Sequence, residues 1–404
     1  MGVSLDWVRD YVDLQDVSLE GIASALRMSG LYLRPKHPDF NRSSQETLDS
    51  RSFNVEAPFG RQDWLGVIGI ARELAARLNK PWTWSEPRPA RDPLLSVEPH
   101  LKISLQNVEA CHRLVALRLG DVPHLPSPQW MQVRLLAAGI KSTHLVVDAA
   151  QFVMLEYHQP IHVFDEKRVS GATLRMAQAS RSHTLITTDG RQLNIETGDL
   201  LIEDSNGPVS LAGIADAQET GIDATTDRVI VVCGAFAPSL LAKTINRLGL
   251  SKEGASRFAC GTDLTMVPYA ALRVAELVSR ATEESCHFHS PFRRVQTSKD
   301  MVDLGVRPTG SRLIAMRLSH GREFLGISHL NRNMVTQALT RFSFRFVDGN
   351  EDRLVFDIPS FRPDIEREID LIAELSRIFG VELVPPCSLS LPRKGTPFAS
   401  STNS

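Results

Sequence analysis

The stretch LVVDAAQFVMLEYHQPIHVFD, Leu145 to Asp165, decides how the rest of the chain is read. Its first half is apolar and alternating enough to be a buried strand or a strand–helix junction. Its second half breaks at His158-Gln159-Pro160 and then delivers His162, Phe164 and Asp165. Together with Asp148 and Glu156, these histidines and Asp165 place ionisable groups densely on an apolar scaffold, which marks a pocket. His158 and His162 stand four apart, the helical spacing of a zinc pair. Pro160 lies between them and argues against a helix there, so one histidine is expected to cap a turn and the other to bond in the core.

Composition bounds what surrounds this stretch. A chain of 404 residues exceeds one hydrophobic core, so several domains are expected. A net charge of −2 provides no global field to recruit nucleic acid, so any RNA contact must be local. The five cysteines form no CxxC pair, so neither a zinc site nor a disulfide framework is indicated, and free thiols suit a cytoplasmic location. The N-terminus does not read as a secretory signal, and no apolar run is long enough for a membrane span.

Towards the N-terminus, residues 4–12 and 18–29 read as short helices, the second capped by Ser18 and ended by Gly30. Residues 34–52 read as a polar linker. A helix follows from Trp64, with Asp63 as its cap and Pro81 as its stop, giving a small α/β domain over 1–85. Proline-rich 86–99 should connect domains. A strand is expected at His112–Leu119, and Ser127 and Pro128 should start a helix that Gly139 ends. After the opening stretch come short strands at Ala172–Ala177, Leu200–Ile202, Pro208–Ala212 and Arg228–Val232, then helices at Ser239–Leu248 and Val267–Ala281. From about 297, helical segments near Ser311–Met316 and Ser328–Arg332, strands at Phe342–Phe346 and Leu354–Ile358, and an amphipathic helix at Ile365–Phe379 form a third unit. Residues 387–404 read as a disordered tail. The fold class is α+β and multidomain.

Three further constellations stand out. Leu211-Ala212-Gly213-Ile214-Ala215 could bring backbone amides to a ligand, or simply pack closely. Asp370 and Glu374 share a helical face and, with Asp364, could bind magnesium; equally, Asp364 could cap the helix and the acids favour its dipole. A triad built on Ser127 and His162 lacks any nucleophile elbow, and Cys260 has no placed partner.

Taken in order, SLDWVRDYVDL, LEGIASALRMSGL, RQDWLGVIGIARELAARL, the SPQWMQVRLLAAGIKSTHLVVDAAQFVMLEYHQPIHVFD segment, SLAGIAD, GLSKEGASRFACGTD and IPSFRPDIEREIDLIAELSRIFG resemble the beta subunit of bacterial phenylalanyl-tRNA synthetase. The resemblance implies a truncated paralogue, with an editing-type domain over 95–285 and a winged-helix-like domain over 297–386. In that family the editing domain hydrolyses tyrosine misattached to phenylalanine tRNA. It implies aminoacylated tRNA and an aromatic amino acid as ligands, makes a synthetase alpha subunit an unexpected partner, and leaves magnesium as the one cofactor to consider. His162 matches the editing-pocket histidine and is the expected catalytic group; Ala212 and Gly213 match the pocket's backbone turn, and Thr226 a threonine beside it.

Departures from the family are several. Ala150-Gln151 replaces a Thr-Asn pair, Leu145 an asparagine, Asp216-Ala217 a Gly-Gly pair, and Ala373 the fourth acid of the magnesium set. Val232 stands where the family's glutamate recognises the tyrosine hydroxyl, so the pocket is expected to admit phenylalanine or an analogue, with His158 or Gln151 as new polar contacts. Three functions follow from these changes: hydrolysis of an aminoacyl-tRNA ester, transfer of the aminoacyl group to a small-molecule amine, or non-catalytic binding of tRNA or a synthetase.

Overall fold

The computed structural model describes residues 2–34, 52–56, 60–89, 91–92, 101–250, 255–286 and 295–380. Most of the 34–52 linker and the whole 387–404 tail therefore lie outside the described residues.

The N-terminal unit is an antiparallel sheet of β1 (Gly2–Ser4), β2 (Tyr32–Arg34) and β3 (Ser52–Glu56), with β3 in the middle. Three helices pack with it: α1 (Leu5–Arg9), α2 (Leu19–Ser29) and α3 (Val67–Arg77). Ser18 caps α2 by accepting from the Gly21 amide at 3.1 Å, and Gly30 closes it at φ +90°, both as the sequence requires. Asp63 does not cap α3. It is bound by Arg61 at 2.9 Å inside a 3-10 turn, Gln62–Leu65, and the helix starts after Gly66.

The middle unit is two stacked sheets with helices on one outer face. The six-stranded sheet runs β4 (Arg91–Asp92), β15, β6 (Cys111–Gly120), β14, β7, with a further strand pairing along β6. The proline-rich connector thus contributes an edge strand. The helices introduced next are α4 (Gln129–Ala137) and α5 (Leu145–Tyr157), followed by β7 (Ile161–Asp165). The second sheet has order β13, β12, β11, β8, β5, built from β5 (Lys102–Leu105), β8 (Thr173–Gln178), β11 (Leu200–Glu203), β12 (Pro208–Leu211) and β13 (Ala215–Asp216). A hairpin of β9 (His183–Ile186) and β10 (Gln192–Ile195) covers its far side. β14 (Val229–Phe236) is buried along its whole length. Its alternate residues split between two cores: Val229, Val231 and Cys233 face the helices, while Ile230, Val232 and Phe236 face the second sheet. The unit closes with α6 (Pro238–Leu248), α7 (Val267–Cys286), β15 (Gln296–Ser298) and β16 (Val302–Gly305).

The opening stretch corrects the sequence reading. Residues Leu145–Tyr157 are a helix, wedged among α3, α4, α7 and β7. A helix covered on every side shows no polar stripe, so its period was masked. Its polar residues are buried but partnered: Asp148 accepts from Ser127 Oγ at 2.5 Å, from Ser142 Oγ and from the Thr143 amide at 2.9 Å. Ser127 therefore serves Asp148 and does not cap α4, which begins after Pro128.

The C-terminal unit is the three-stranded sheet β17 (Arg312–Arg317), β19 (Arg353–Ile358), β18 (Arg345–Gly349), with α8 (Leu318–Leu325), α9 (Arg332–Arg341) and α10 (Glu368–Phe379). The expected helix near Ser311–Met316 is instead β17, whose alternate Ile314 and Met316 enter the core. The segment expected near Ser328–Arg332 begins later, capped by Asn331, which accepts from the Met334 amide at 3.1 Å. Among the described residues no helix is long and apolar enough to cross a membrane.

Candidate functional site

The site forms where β7, β12 and β13 meet the turn Ala212–Ile214. β14 pairs Val232 with His162, so the two side chains lie on the same face of the sheet. β12 pairs Ser210 with Asp216 and brings both to His162. The imidazole Nδ1 lies 2.5 Å from Asp216 Oδ1 and 3.2 Å from Ser210 Oγ. The Gly213 amide donates to Nε2 at 2.9 Å. An Nε2 that accepts an N–H carries no proton, so the ring is the Nδ1–H tautomer aimed at Asp216. Gly213 holds φ +73°, and a Cβ there would come within 3.0 Å of Phe236 Cδ2, so glycine is required by both backbone and space.

A cavity of about 160 Å³ opens beside this chain, lined by Met154, Pro160, Ile161, His162, Gly213, Ile214, Ala215, Asp216 and Phe258. It has the polarity of an amino-acid pocket: apolar walls with one histidine–carboxylate pair. Ser210 is no nucleophile here. It is fully buried, and its hydroxyl donates to the Ala215 carbonyl at 3.0 Å. The turn amides are also engaged: Ala212 N–H bonds Leu200 O, Gly213 N–H bonds His162, and Ile214 N–H bonds Leu211 O. Close packing accounts for this turn, and no amide is left pointing at a ligand.

Of the residues singled out from sequence, His162 and Gly213 line the pocket. Ala212 is buried behind the turn, and Val232, 1% exposed, lies in the apolar core between the sheets. Thr226 donates to Asp165 at 2.8 Å, a structural bond away from the pocket. Ala150 packs into the helical core, and neither it nor Gln151 lines the cavity. Asp216, which the resemblance marks only as a departure, is the further polar group of the pocket.

His158 faces elsewhere. It ends α5 at φ +55°, a conformation favouring glycine, and its Nε2 lies 3.2 Å from the Gly261 carbonyl. Its ring centroid lies 5.4 Å from that of Phe258. Burial, then the nearby Arg257 charge, depresses its pKa to about 3, so the ring is neutral. Its Nδ1 lacks a protein partner and borders a separate cavity of about 40 Å³ with Asp63, Arg72, Asp263 and Phe361. His158 and His162 are thus not a metal pair.

The three acids considered for magnesium are not gathered as a ligand set. Asp364 pairs with Arg362 at 2.8 Å, and Glu374 with Arg362 at 2.6 Å and Arg377 at 2.7 Å. Asp370 accepts from the Glu366 and Arg367 amides at the start of α10, a capping role. Among the described residues no group of three or more His, Cys, Asp or Glu side chains is arranged to hold a metal. Arginine compensates these charges instead, and the donor set does not fit a divalent ion.

Two family models match: the B3/4 domain over residues 110–283 and the tRNA synthetase B5 domain over 314–381. The phenylalanine–tRNA ligase beta subunit of Thermotoga maritima is 30% identical over 345 residues, covering 85% of this chain and 42% of that protein. Its counterpart in Geobacter sulfurreducens is 31% identical over 340 residues, covering 83% and 40%. The chain thus spans about two fifths of the length of these relatives. An N-terminal fragment of the phenylalanyl-tRNA synthetase beta-subunit from Pyrococcus horikoshii aligns over 94% of this chain and 99% of its own, at TM-score 0.47 and 12% identity.

Proposed function

We propose, on the premise that this chain is a relative of the phenylalanine–tRNA ligase beta subunits carrying their B3/4 and B5 domains, that its B3/4 pocket cleaves the aminoacyl ester of a charged tRNA. The observation that carries the reading is the Asp216–His162–Gly213 chain at the edge of the 160 Å³ cavity. A carboxylate on Nδ1–H fixes the tautomer and would stabilise an imidazolium, which makes Nε2 the basic nitrogen. In the reaction, Nε2 exchanges the Gly213 amide for a water molecule and takes its proton. The hydroxide adds to the ester carbonyl. The proton then passes to the departing ribose hydroxyl, and free amino acid and tRNA result. No covalent step is required.

Substrate choice follows from the pocket's lining. Among the described residues no polar side chain other than His162 and Asp216 lines the cavity to satisfy a para-hydroxyl, so phenylalanine or an analogue with its polar group elsewhere is the preferred side chain. A second reading, non-catalytic binding, is favoured by one observation: in the ligand-free site every turn amide and both His162 nitrogens are engaged.

The test incubates the protein with phenylalanine tRNA charged with phenylalanine, para-tyrosine or meta-tyrosine. Release of free phenylalanine or meta-tyrosine supports hydrolysis. Preferential release of para-tyrosine would sink the specificity argument. Ester lost only when an amine acceptor is added would indicate transfer, and an unchanged ester with measurable binding would favour the second reading.

A further inference from the structure

A second cavity, larger than the pocket of His162, lies among the described residues. It is a crevice of about 710 Å³ between the N-terminal unit and the helical face of the middle unit. Of the chain's five tryptophans, Trp7 and Trp64 are buried, and the other three, Trp82, Trp84 and Trp130, all open onto this crevice. Two of these rings are held in place. Trp84 donates to Tyr157 Oη at 3.1 Å and meets Tyr269 edge-on at 5.6 Å. Trp130 meets Phe152 edge-on at 5.5 Å. Leaving three indoles, two of them fixed, partly open to water in one place costs solvation that a core would have recovered.

The charges lining the crevice narrow the ligand. The floor is a closed network: Glu156, 1% exposed, accepts from Tyr11 Oη, from Trp7 Nε1 at 3.4 Å and from Arg273 at 3.0 Å. Asp10 is bound by Arg134 at 2.6 Å, Glu276 by Arg273 at 2.7 Å and Glu284 by Arg280 at 2.8 Å. A cationic ligand finds no carboxylate here without an arginine on it. What the indoles and guanidiniums accept in common is a flat π-system. The Arg134 and Arg280 guanidiniums lie 5.6 and 5.7 Å from the Trp130 ring, and the Arg280 side chain is 62% exposed at the rim. Its bond to Glu284 is a surface pair that a phosphate can displace at little cost.

We propose that this crevice is a nucleobase-binding site, which stacks an unpaired base on its indoles and meets the attached phosphate with Arg280. The base can come from a free mononucleotide or from a single-stranded segment of RNA, and the crevice is large enough for one or two nucleotides. It is independent of the hydrolytic reading of the His162 pocket and stands or falls separately.

The test uses the full chain and two probes: fluorescein-labelled hexaadenylate followed by anisotropy, and adenosine monophosphate as competitor, with intrinsic tryptophan quenching as a second readout. Hexaadenylate is expected to bind and to quench. Trp82→Leu should weaken it about 5- to 150-fold, the range for losing one stacked base. Arg280→Gln, at an exposed position that folding does not need, should weaken it less and reduce its salt dependence. Far-ultraviolet circular dichroism confirms that each variant is folded. Equal affinity per site for the mononucleotide and the hexamer assigns a free nucleotide; much tighter binding of the hexamer assigns a strand. The proposal is overturned if neither probe binds by about 1 mM, if a duplex competes as well as the single strand, or if folded Trp82→Leu and Arg280→Gln bind like wild type.

Discussion

Replacing Glu73 with glutamine should loosen the joint between the B5 domain and the N-terminal helices. Glu73 lies on α3 and is 3% exposed. It accepts from Arg377 of α10 at 2.6 Å and from Arg61 at 3.3 Å, with Arg77 Nε at 3.6 Å. Around it, Arg61, Arg72, Arg77, Arg362 and Arg377 balance Asp63, Glu73, Asp263, Asp364 and Glu374, so glutamine leaves one unmatched positive charge in a buried place. Removing one partner of a buried pair costs about 3–5 kcal/mol. Here Arg377 keeps Glu374 at 2.7 Å and Arg61 keeps Asp63 at 2.9 Å, which argues for the low end, about 3 kcal/mol or roughly a hundredfold. Arg77 also donates to the Arg377 and Ile378 carbonyls, so the last turn of α10 is where the loss should appear. Hydrogen exchange read by mass spectrometry should show α10 amides opening faster by that factor, with β6 and β14 much less affected. A cycle with Arg377→Met should give strong coupling. Unchanged exchange in α10, uniform loosening of the whole chain, or additive single and double variants would refute the reasoning.

Four other outcomes are expected. Asp216→Asn should lower any ester cleavage by up to about four orders of magnitude, through loss of the tautomer control described for such pairs, with little effect on tRNA binding; equal cleavage by both proteins removes Asp216 from the chemistry. Asp148→Ala strands the Ser127 and Ser142 hydroxyls and the Thr143 amide, and should cost about 2–4 kcal/mol in urea unfolding. His158→Gly trades a left-handed strain of about 1 kcal/mol against one hydrogen bond of similar size, so the unfolding midpoint should move little while amides of 258–261 exchange faster. Acid should loosen the C-terminal unit, at its joint through Glu374 and within the unit through Glu368. Burial pushes Glu374 up, but bonds from Arg377 and the charge of Arg362 outweigh it and hold it low, and the Arg317 hydrogen bonds bring Glu368 to about 2. Depressed carboxylates stabilise above their unfolded pKa of about 4.3 and lose that contribution as pH falls through the folded value, so near-ultraviolet circular dichroism should show tertiary loss between about pH 4.5 and 2; stability that holds flat or rises on acidification contradicts this.

What could be read from sequence depended on what each element shows to water. β14 is legible as a short run of β-branched residues, and the helices with one exposed face because burial repeats at a period near four. Helix α5 was not, since every side of it is covered and its acids are hidden among Ser127, Ser142, Tyr11 and Arg273. From sequence β17 reads as a helix, because a six-residue segment holding apolar and basic residues fits both periods. The acids of the C-terminal unit look like metal ligands because the sequence places them near one another, while pairing them with Arg362, Arg367 and Arg377, which lie just as close in sequence, depends on side-chain directions that only the fold shows.

The residues at which the chain departs from the motifs it resembles sort into two kinds. Leu145, Ala150 and Val232 all lie in dry cores, where an apolar side chain needs no partner. His158 and Asp216 are both bonded: His158 ties the end of α5 to the loop at Gly261, and Asp216 ties β13 to His162. The loop held by His158 continues to Asp263, whose carboxylate accepts from Ser360 at 2.8 Å, and from there into the B5 domain. These bonds tie the frame around His162 together, and the Asp216–His162 pair stands as the one pair of ionisable side chains among the described residues lining the cavity.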